Sequence, residues 1–211
     1  ITVEVIARSG AQVKFAAIDR LGENVTAYIS RRGKLGNDAS IDWAIAVMNE
    51  GNVIADFDSD LLGNGSHADL KAIALSSGRQ IQGIDTRVTN YGCNSIGNIL
   101  QHGVILEKAT LTFNGIGHII KGAKGADAQQ ESRVLMLSDQ ARSDANPILL
   151  IDENDVTAGH AASIGQVDPE DMYYLMSRGL DKATAERLVV RGFLGSVIVE
   201  IPVKEVRDEM I

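Results

Sequence analysis

From Ile1 to about Val156 the chain alternates apolar and polar positions in short runs, as in Val25-Thr26-Ala27-Tyr28-Ile29 and Ile41-Asp42-Trp43-Ala44-Ile45-Ala46-Val47. Neighbouring side chains in such runs point to opposite faces, which predicts strands buried on at least one side. Glycines punctuate the runs at Gly10, Gly22, Gly36, Gly51, Gly63, Gly78, Gly92, Gly103 and Gly115, in steps of 11 to 15 residues that suit one strand plus one turn. No stretch before Gln129 carries a capped helical period, so crossover helices and a doubly wound sheet are not expected. The body reads as all-β.

Two architectures fit this rhythm: an antiparallel sandwich, and a β-helix whose short strands stack coil upon coil. Periodicity does not choose between them. Composition leans toward the β-helix, because aromatics make up only 4% of the chain while Ile, Val, Leu and Ala recur. Gly51-Asn52 and Gly63-Asn64-Gly65 suit tight corners that need positive φ.

The pattern changes after Gly165. Asp168-Pro169-Glu170-Asp171 predicts a helix start, with Asp168 as N-cap, Pro169 in the first turn and acids facing the positive end of the dipole. Met172, Leu175 and Met176 form its apolar stripe, and Gly179 stands at the C′ position. A second helix is expected from Asp181, with Ala185, Leu188 and Val189 on one face and Gly192 at its end, and a last helical segment from Pro202 to Met210. The division is thus a strand-built core over residues 1–165 and a helical segment over 166–211, whose stripes must pack on the body or on a partner.

Charge and composition narrow the function. With 28 acidic and 20 basic residues the net charge is −8, and no basic stripe tracks a phosphate backbone, so nucleic acid is not an expected partner. No apolar run approaches the ~20 residues that cross a bilayer. The opening Ile1-Thr2-Val3-Glu4-Val5 lacks the basic region and cleavage site of a leader, which points to the cytoplasm. Strand-like alternation from a first residue other than Met leads us to expect a natural N-terminal region ahead of it. Cys93 is the single cysteine, so a disulfide within the chain or a multi-cysteine metal motif is excluded, and Cys93 reads as a small structural residue.

Candidate chemistry is sparse. His160 lies among small residues in Thr157-Ala158-Gly159-His160-Ala161-Ala162-Ser163, where its ring is accessible. A turn histidine that merely hydrogen-bonds is the commoner case, and a metal ligand or proton carrier is the functional alternative. Asp139, Asp144, Asp152, Glu153 and Asp155 crowd one quarter of the chain. They raise the possibility of a β-helix polysaccharide lyase or hydrolase working with paired carboxylates, but their spacing matches no calcium loop and solvated turns explain them more simply. Gly115-Ile116-Gly117-His118 with Lys121-Gly122-Ala123-Lys124-Gly125 lacks both phosphate-loop endings and reads as a corner. His67, His102 and His118 share no ligand spacing, and Ser138 has no nucleophile-elbow context, so no catalytic residue is assigned.

Three stretches resemble the SufB/SufD family of scaffolds for SUF iron–sulfur cluster assembly. They are Ser132-Arg133-Val134-Leu135-Met136-Leu137-Ser138-Asp139, then Ala145-Asn146-Pro147-Ile148-Leu149-Leu150-Ile151, then Asp155-Val156-Thr157-Ala158-Gly159-His160-Ala161-Ala162-Ser163-Ile164-Gly165 running into Tyr173-Tyr174-Leu175-Met176-Ser177-Arg178-Gly179-Leu180. The resemblance implies a right-handed parallel β-helix with a short C-terminal α-helical segment, not an enzyme by itself. It further implies pairing with a SufB-like subunit through the β-helix end and docking of a SufC-like ATPase on the C-terminal helices. Where SufB-like sequences carry their cluster-building cysteine this chain has Ser132, and acids flanking their histidine correspond to Ala158 and Ala161, so the SufD-like branch fits better. Within that branch His160 is the implied metal and cofactor-binding residue. It would hold transient iron or a nascent iron–sulfur cluster shared with a partner, since one neutral imidazole cannot hold a metal alone. The strand edges at the coil ends make edge pairing, including a homodimer, a further expectation. A structural homodimer without chemistry is a third reading.

Overall fold

The computed structural model describes residues 1–198. Twelve strands follow in order: β1 (Thr2–Ala7), β2 (Gln12–Asp19), β3 (Ala27–Leu35), β4 (Ser40–Val47), β5 (Val53–Leu61), β6 (His67–Ser76), β7 (Ile81–Asn90), β8 (Ile96–Ile105), β9 (Thr110–Ile119), β10 (Asp127–Met136), β11 (Arg142–Ile151) and β12 (Thr157–Gln166). Two helices end the described chain, α1 (Pro169–Ser177) and α2 (Lys182–Ile198). Odd strands form one six-stranded sheet in the order β1-β3-β5-β7-β9-β11, and even strands form the other, ordered β12-β10-β8-β6-β4-β2. Every ladder is parallel, so the antiparallel sandwich is ruled out and the body is a parallel β-helix of six coils. Paired rungs such as Arg32 with Asp58 and Asn114 with Asn146 lie 26 and 32 residues apart, the span of one coil.

Alternation does the local work. In β9, Leu111, Phe113, Gly115, Gly117 and Ile119 are buried between half-exposed neighbours, and the buried set faces the lumen between the two sheets. Trp43, Phe57, Ile29, Leu35, Ile41, Ile45, Leu61 and Leu70 fill the lumen of the early coils. There Arg31 is also buried, with Asp19 bound by two of its nitrogens at 2.8 and 2.6 Å and the Phe15 and Phe57 rings against its guanidinium. A buried charge is tolerated only when paired in this way.

Glycine periodicity has two causes. Some glycines sit where stacked turns touch: a Cβ on Gly92 would lie 2.0 Å from the Gly63 carbonyl oxygen. The turns are laced by side chains as well, Asn64 N–H donating to Asn37 and Cys93 N–H to Asn64, both at 2.9 Å. Gly103 and Gly115, expected in turns, instead lie inside β8 and β9. A Cβ on Gly103 would come within 2.5 Å of Leu111 and 2.9 Å of Phe113, so the residue is small to admit its lumenal neighbours. The expected corner at Gly115–His118 is likewise strand, and turn begins only after Ile119. Val25 and Thr26 precede β3 rather than forming part of it.

The helices start where the sequence says. Asp168 accepts from Glu170 N–H at 2.8 Å, and Asp181 accepts from Thr184 N–H at 2.8 Å. Gly179 follows α1 at φ +93°. Gly192 does not end α2, which runs on to Ile198 because Leu194, Val197 and Ile198 bury against Ala44, Ile73 and Val104 on the outer face of the even sheet. The buried face of α2 thus differs from the expected one: Val190 and Phe193 join Leu194, Val197 and Ile198 on the sheet, Ala185 is buried apart from that cluster, and Leu188 is exposed. No residue of α1 is buried. The segment expected from Pro202 to Met210 lies outside the described residues. Among the described residues no helix is long and apolar enough to cross a membrane.

Candidate functional site at the open coil end

β11 and β12 are the edge strands at one end of the two sheets, so coil six has a neighbour on one side only. Its burial falls accordingly: β12 has no buried residue, and Ile148, Leu150, Ile151 and Ile164 are exposed. Pro147, which has no N–H to donate, sits in edge strand β11, where a sheet tolerates it.

His160 lies in the middle of β12, paired with Gln130 of β10, which is itself paired with Ile99 of β8. Gln130 and Ile99 are both buried and face the lumen, so the parallel register puts His160 on a lumen-facing rung at the last coil. The imidazole is exposed, and among the described residues it has no hydrogen-bond partner. Ala158, Gly159, Ala161 and Ala162 around it raise no wall. The segment that carries it is a terminal edge strand and not a turn.

Below it the lumen is polar. Ser132, 1% exposed, donates from Oγ to Gln101 Oε1 at 2.6 Å, and Gln130 donates from Nε2 to the Ile148 carbonyl at 3.0 Å. On the outer face, at the rungs on either side of that of His160, a groove of about 600 Å³ crosses β6, β8, β10 and β12, walled by Asp69, Lys71, Asn98, Gln129 and Glu131 and bordered by His160. Burial alone would raise the Asp69 carboxyl, but hydrogen bonds from His67 at 3.0 Å and Asn98 at 2.8 Å outweigh it and hold the group below its usual range. The bond to Asp69 raises His67 in turn, against the effect of burial.

The carboxylates that raised the hydrolase reading do not converge. Asp139 accepts from Gln166, Asp144 sits 3.5 Å from Arg142, Asp152 lies 3.1 Å from His118, and Glu153 accepts from Gly122 and Asn154 N–H. These four are engaged by separate local partners, not by one another. Cys93 is half-buried in a turn rather than a core residue, its Sγ donating to the Gly122 carbonyl at 3.3 Å. Among the described residues no cluster of three or more His, Cys, Asp or Glu could hold a metal ion. Any metal that His160 binds would need ligands from elsewhere.

His102 carries a feature that its sequence context did not reveal. It lies beneath α2, stacked on Phe193 with centroids 5.0 Å apart, with Nε2 3.3 Å from Glu131 and Nδ1 buried without a side-chain partner. Burial pushes its pKa down, against the opposing effect of Glu131.

The family model for the SUF system FeS cluster assembly SufBD core domain matches residues 1–193. The chain is 50% identical over 209 residues to the iron–sulfur cluster assembly protein SufD of Bacillus subtilis, covering 99% of this chain and 48% of that protein. It is 28% identical to a SufBD family protein of Mycobacterium leprae, over 96% of this chain and 23% of that protein. A SufBD family protein of Staphylococcus epidermidis is 25% identical over 96% of this chain and 43% of its own length. The chain therefore spans about half or less of the curated relatives it matches.

Proposed function

The chain belongs to the SufBD core family of the SUF iron–sulfur cluster assembly system, and from that premise we propose that it is a scaffold segment, without catalysis of its own, that contributes His160 to a cluster site completed by a partner. The observation that carries this reading is the place of His160: an exposed imidazole on a lumen-facing rung of the terminal strand, where a second solenoid can cover it. The cargo is iron or a nascent cluster, and the partner is a SufB-like subunit meeting β11 and β12, whose unpaired edges invite strand addition. Ser132 fits the non-catalytic role, since its hydroxyl is held inside the lumen by Gln101 instead of offering a thiolate. A homodimer through the same edge is the competing occupant.

The tail reading divides between the helices. The apolar face of α2 is buried on the body, whereas α1 exposes Tyr173 (76%) and Tyr174 beside Met176, and α2 adds Leu188. A SufC-like ATPase docks, in this reading, on α1 and the free side of α2. Removing the whole tail would uncover Ala44, Ile73 and Val104, so point substitutions are the cleaner probe.

The test uses the full-length protein with its SufB-like and SufC-like partners. His160→Ala should abolish cluster formation while the complex still assembles, and wild-type cluster yield from that variant would overturn the site. Tyr173→Ser with Tyr174→Ser should release the ATPase and leave the SufB-like subunit bound; unchanged ATPase retention would overturn the docking assignment.

A further inference from the structure

A hydrogen-bond ladder runs along the outer face of the odd sheet to its free edge. The register stacks Asp85 of β7, Asn114 of β9 and Asn146 of β11 on one rung. Asn114 donates from Nδ2 to Asp85 Oδ1, and Asn146 donates from Nδ2 to Asn114 Oδ1 at 2.9 Å. The direction is imposed from below, because a carboxylate only accepts. Asp85 takes the amide N–H of Asn114, which turns the Asn114 oxygen toward the next coil, and the same step repeats at Asn146. Asn146 is exposed and β11 is the last strand of its sheet, so its Oδ1 is an acceptor aimed at the free edge. Among the described residues no group donates to that oxygen. Reversing the amide would set its oxygen against that of Asn114.

Water satisfies such an acceptor while the edge is open. A strand added to β11 lies about 4.8 Å away and displaces that water, so it supplies a donor or leaves the oxygen unpaired. A second copy stacked odd sheet on odd sheet by a two-fold axis brings β11 against β11 antiparallel, and the outward positions on offer are Arg142, Asp144, Asn146, Ile148 and Leu150. Asn146 against itself or Asp144 sets acceptor on acceptor, and against Ile148 or Leu150 it has no donor. Against Arg142 it is satisfied, but that register places Asp144 on Asp144, and like charges directly opposite are unfavourable. We infer that Asp85, Asn114 and Asn146 form a one-way ladder that presents a fixed acceptor at the edge of β11, a specificity contact for a strand of a different chain carrying a side-chain N–H or O–H opposite it. Asp85 is a positioning residue that acts through Asn146. The inference rests on the reading that a SufB-like subunit covers the open end, and it names the chemistry by which β11 selects that subunit over a second copy.

The experiment measures the affinity of the full-length protein for its SufB-like partner, with self-association followed by sedimentation. Asn146→Leu keeps the bulk, lacks both amide atoms and should weaken partner binding about tenfold. Asp85→Val acts from two strands below the edge, leaves Asn146 free to turn and should weaken binding several-fold. The double variant should be no weaker than Asn146→Leu alone, because Asp85 has no other route to the partner. Asp85→Asn should bind like wild type: the Asp56 carboxylate stands next on the rung, so an amide at position 85 donates to it and the direction is kept. Asp85 is half-exposed, and should Asp85→Val fail to fold, Asp85→Ala carries the same test. Wild-type affinity in Asp85→Val, or additive losses in the double variant, would sink the ladder, and a wild-type homodimer tighter than the partner complex would overturn the choice of occupant. Ala162→Arg, exposed on β12 and away from the ladder, blocks whatever covers the open end. Partner binding that survives Ala162→Arg removes the open-end reading and the ladder's role with it. Binding lost in Ala162→Arg but unchanged in Asp85→Val and Asn146→Leu removes the ladder alone.

Discussion

Coils two and three and the last coil share one strand geometry and differ in what fills it. In the early coils Trp43 and Phe57 lie at 1% exposure, Trp43 tilts against Phe15 at 4.9 Å between centroids, and its indole N–H is satisfied by Ser59 at 3.0 Å. In the last coil the lumen-facing rungs carry Ala145, Pro147, Ala158, His160 and Ala162 over a floor made by Gln130 and Ser132, with Leu149, Ile151 and Ile164 on the same face toward one side. Burial of aromatic and aliphatic area gives the first region its stability. The second region gives up that burial for small residues, oriented polar groups and aliphatic side chains left half-exposed or exposed at an open edge. A solenoid allows this segregation because each coil contacts only its neighbours.

The contrast is broken most strongly by emptying the early lumen. Trp43→Ala removes a large buried ring and leaves the Ser59 hydroxyl unpaired, so it should cost about 3–5 kcal/mol in denaturant unfolding. Leu149→Ala, on a half-exposed rung of the terminal strand, should cost less than about 1 kcal/mol. Comparable losses at the two positions would mean that the end coil is packed as tightly as the early ones.

A smaller effect comes from overfilling. Gly103→Ala places a methyl 2.5 Å from Leu111 and 2.9 Å from Phe113, both rigidly buried, and should destabilise by about 1–3 kcal/mol. A neutral or stabilising result would show that the lumen there has room to give.

That glycine also shows how far the sequence could be read. Its step in the glycine series matched a strand-plus-turn rhythm, but its cause is the volume of Phe113 across the lumen, a contact that spacing along the chain does not report. Caps were legible because Asp168, Pro169 and Asp181 act on their own next turn. Gly192 was not, since α2 continues through it on the strength of contacts with Ile73 and Val104, far away in the chain. The choice between sandwich and β-helix rested on which strands pair, and a rung 26 to 32 residues distant leaves no local trace. The position of His160 in β12 follows from the same long-range register. Without the family resemblance, nothing in its neighbourhood distinguished a terminal edge strand from a turn.

pH sharpens the comparison between the helix-covered and open parts of the even sheet. His102, beneath α2, has its pKa lowered, chiefly by burial. Its neutral form is the one the fold prefers, so the stability it contributes is complete above the ordinary histidine value of 6.5 and falls as pH drops through it. His67, in the open and paired with Asp69, is raised. Its contribution is complete below the ordinary value, is lost as pH rises through the folded-state value, and is small because the side chain is 41% exposed. Unfolding profiles between about pH 5 and 8 should therefore flatten at the acid side in His102→Phe more than at the neutral side in His67→Asn. An acid-side slope unchanged by His102→Phe would show that α2 does not seal this histidine.

The smallest effect on stability is expected at His160 itself. Its ring is exposed and bonds no other described residue. His160→Ala should thus shift unfolding by no more than about 0.5 kcal/mol, the range of surface substitutions. Adding the SufB-like partner should separate the two regions again. A partner that covers the open end raises the stability of the wild type by mass action, and His160→Ala should reduce that gain without touching the stability of the free chain. A loss of more than about 1 kcal/mol in the free chain would mean that the imidazole is a structural element of the last coil, and that the open end is built for packing after all.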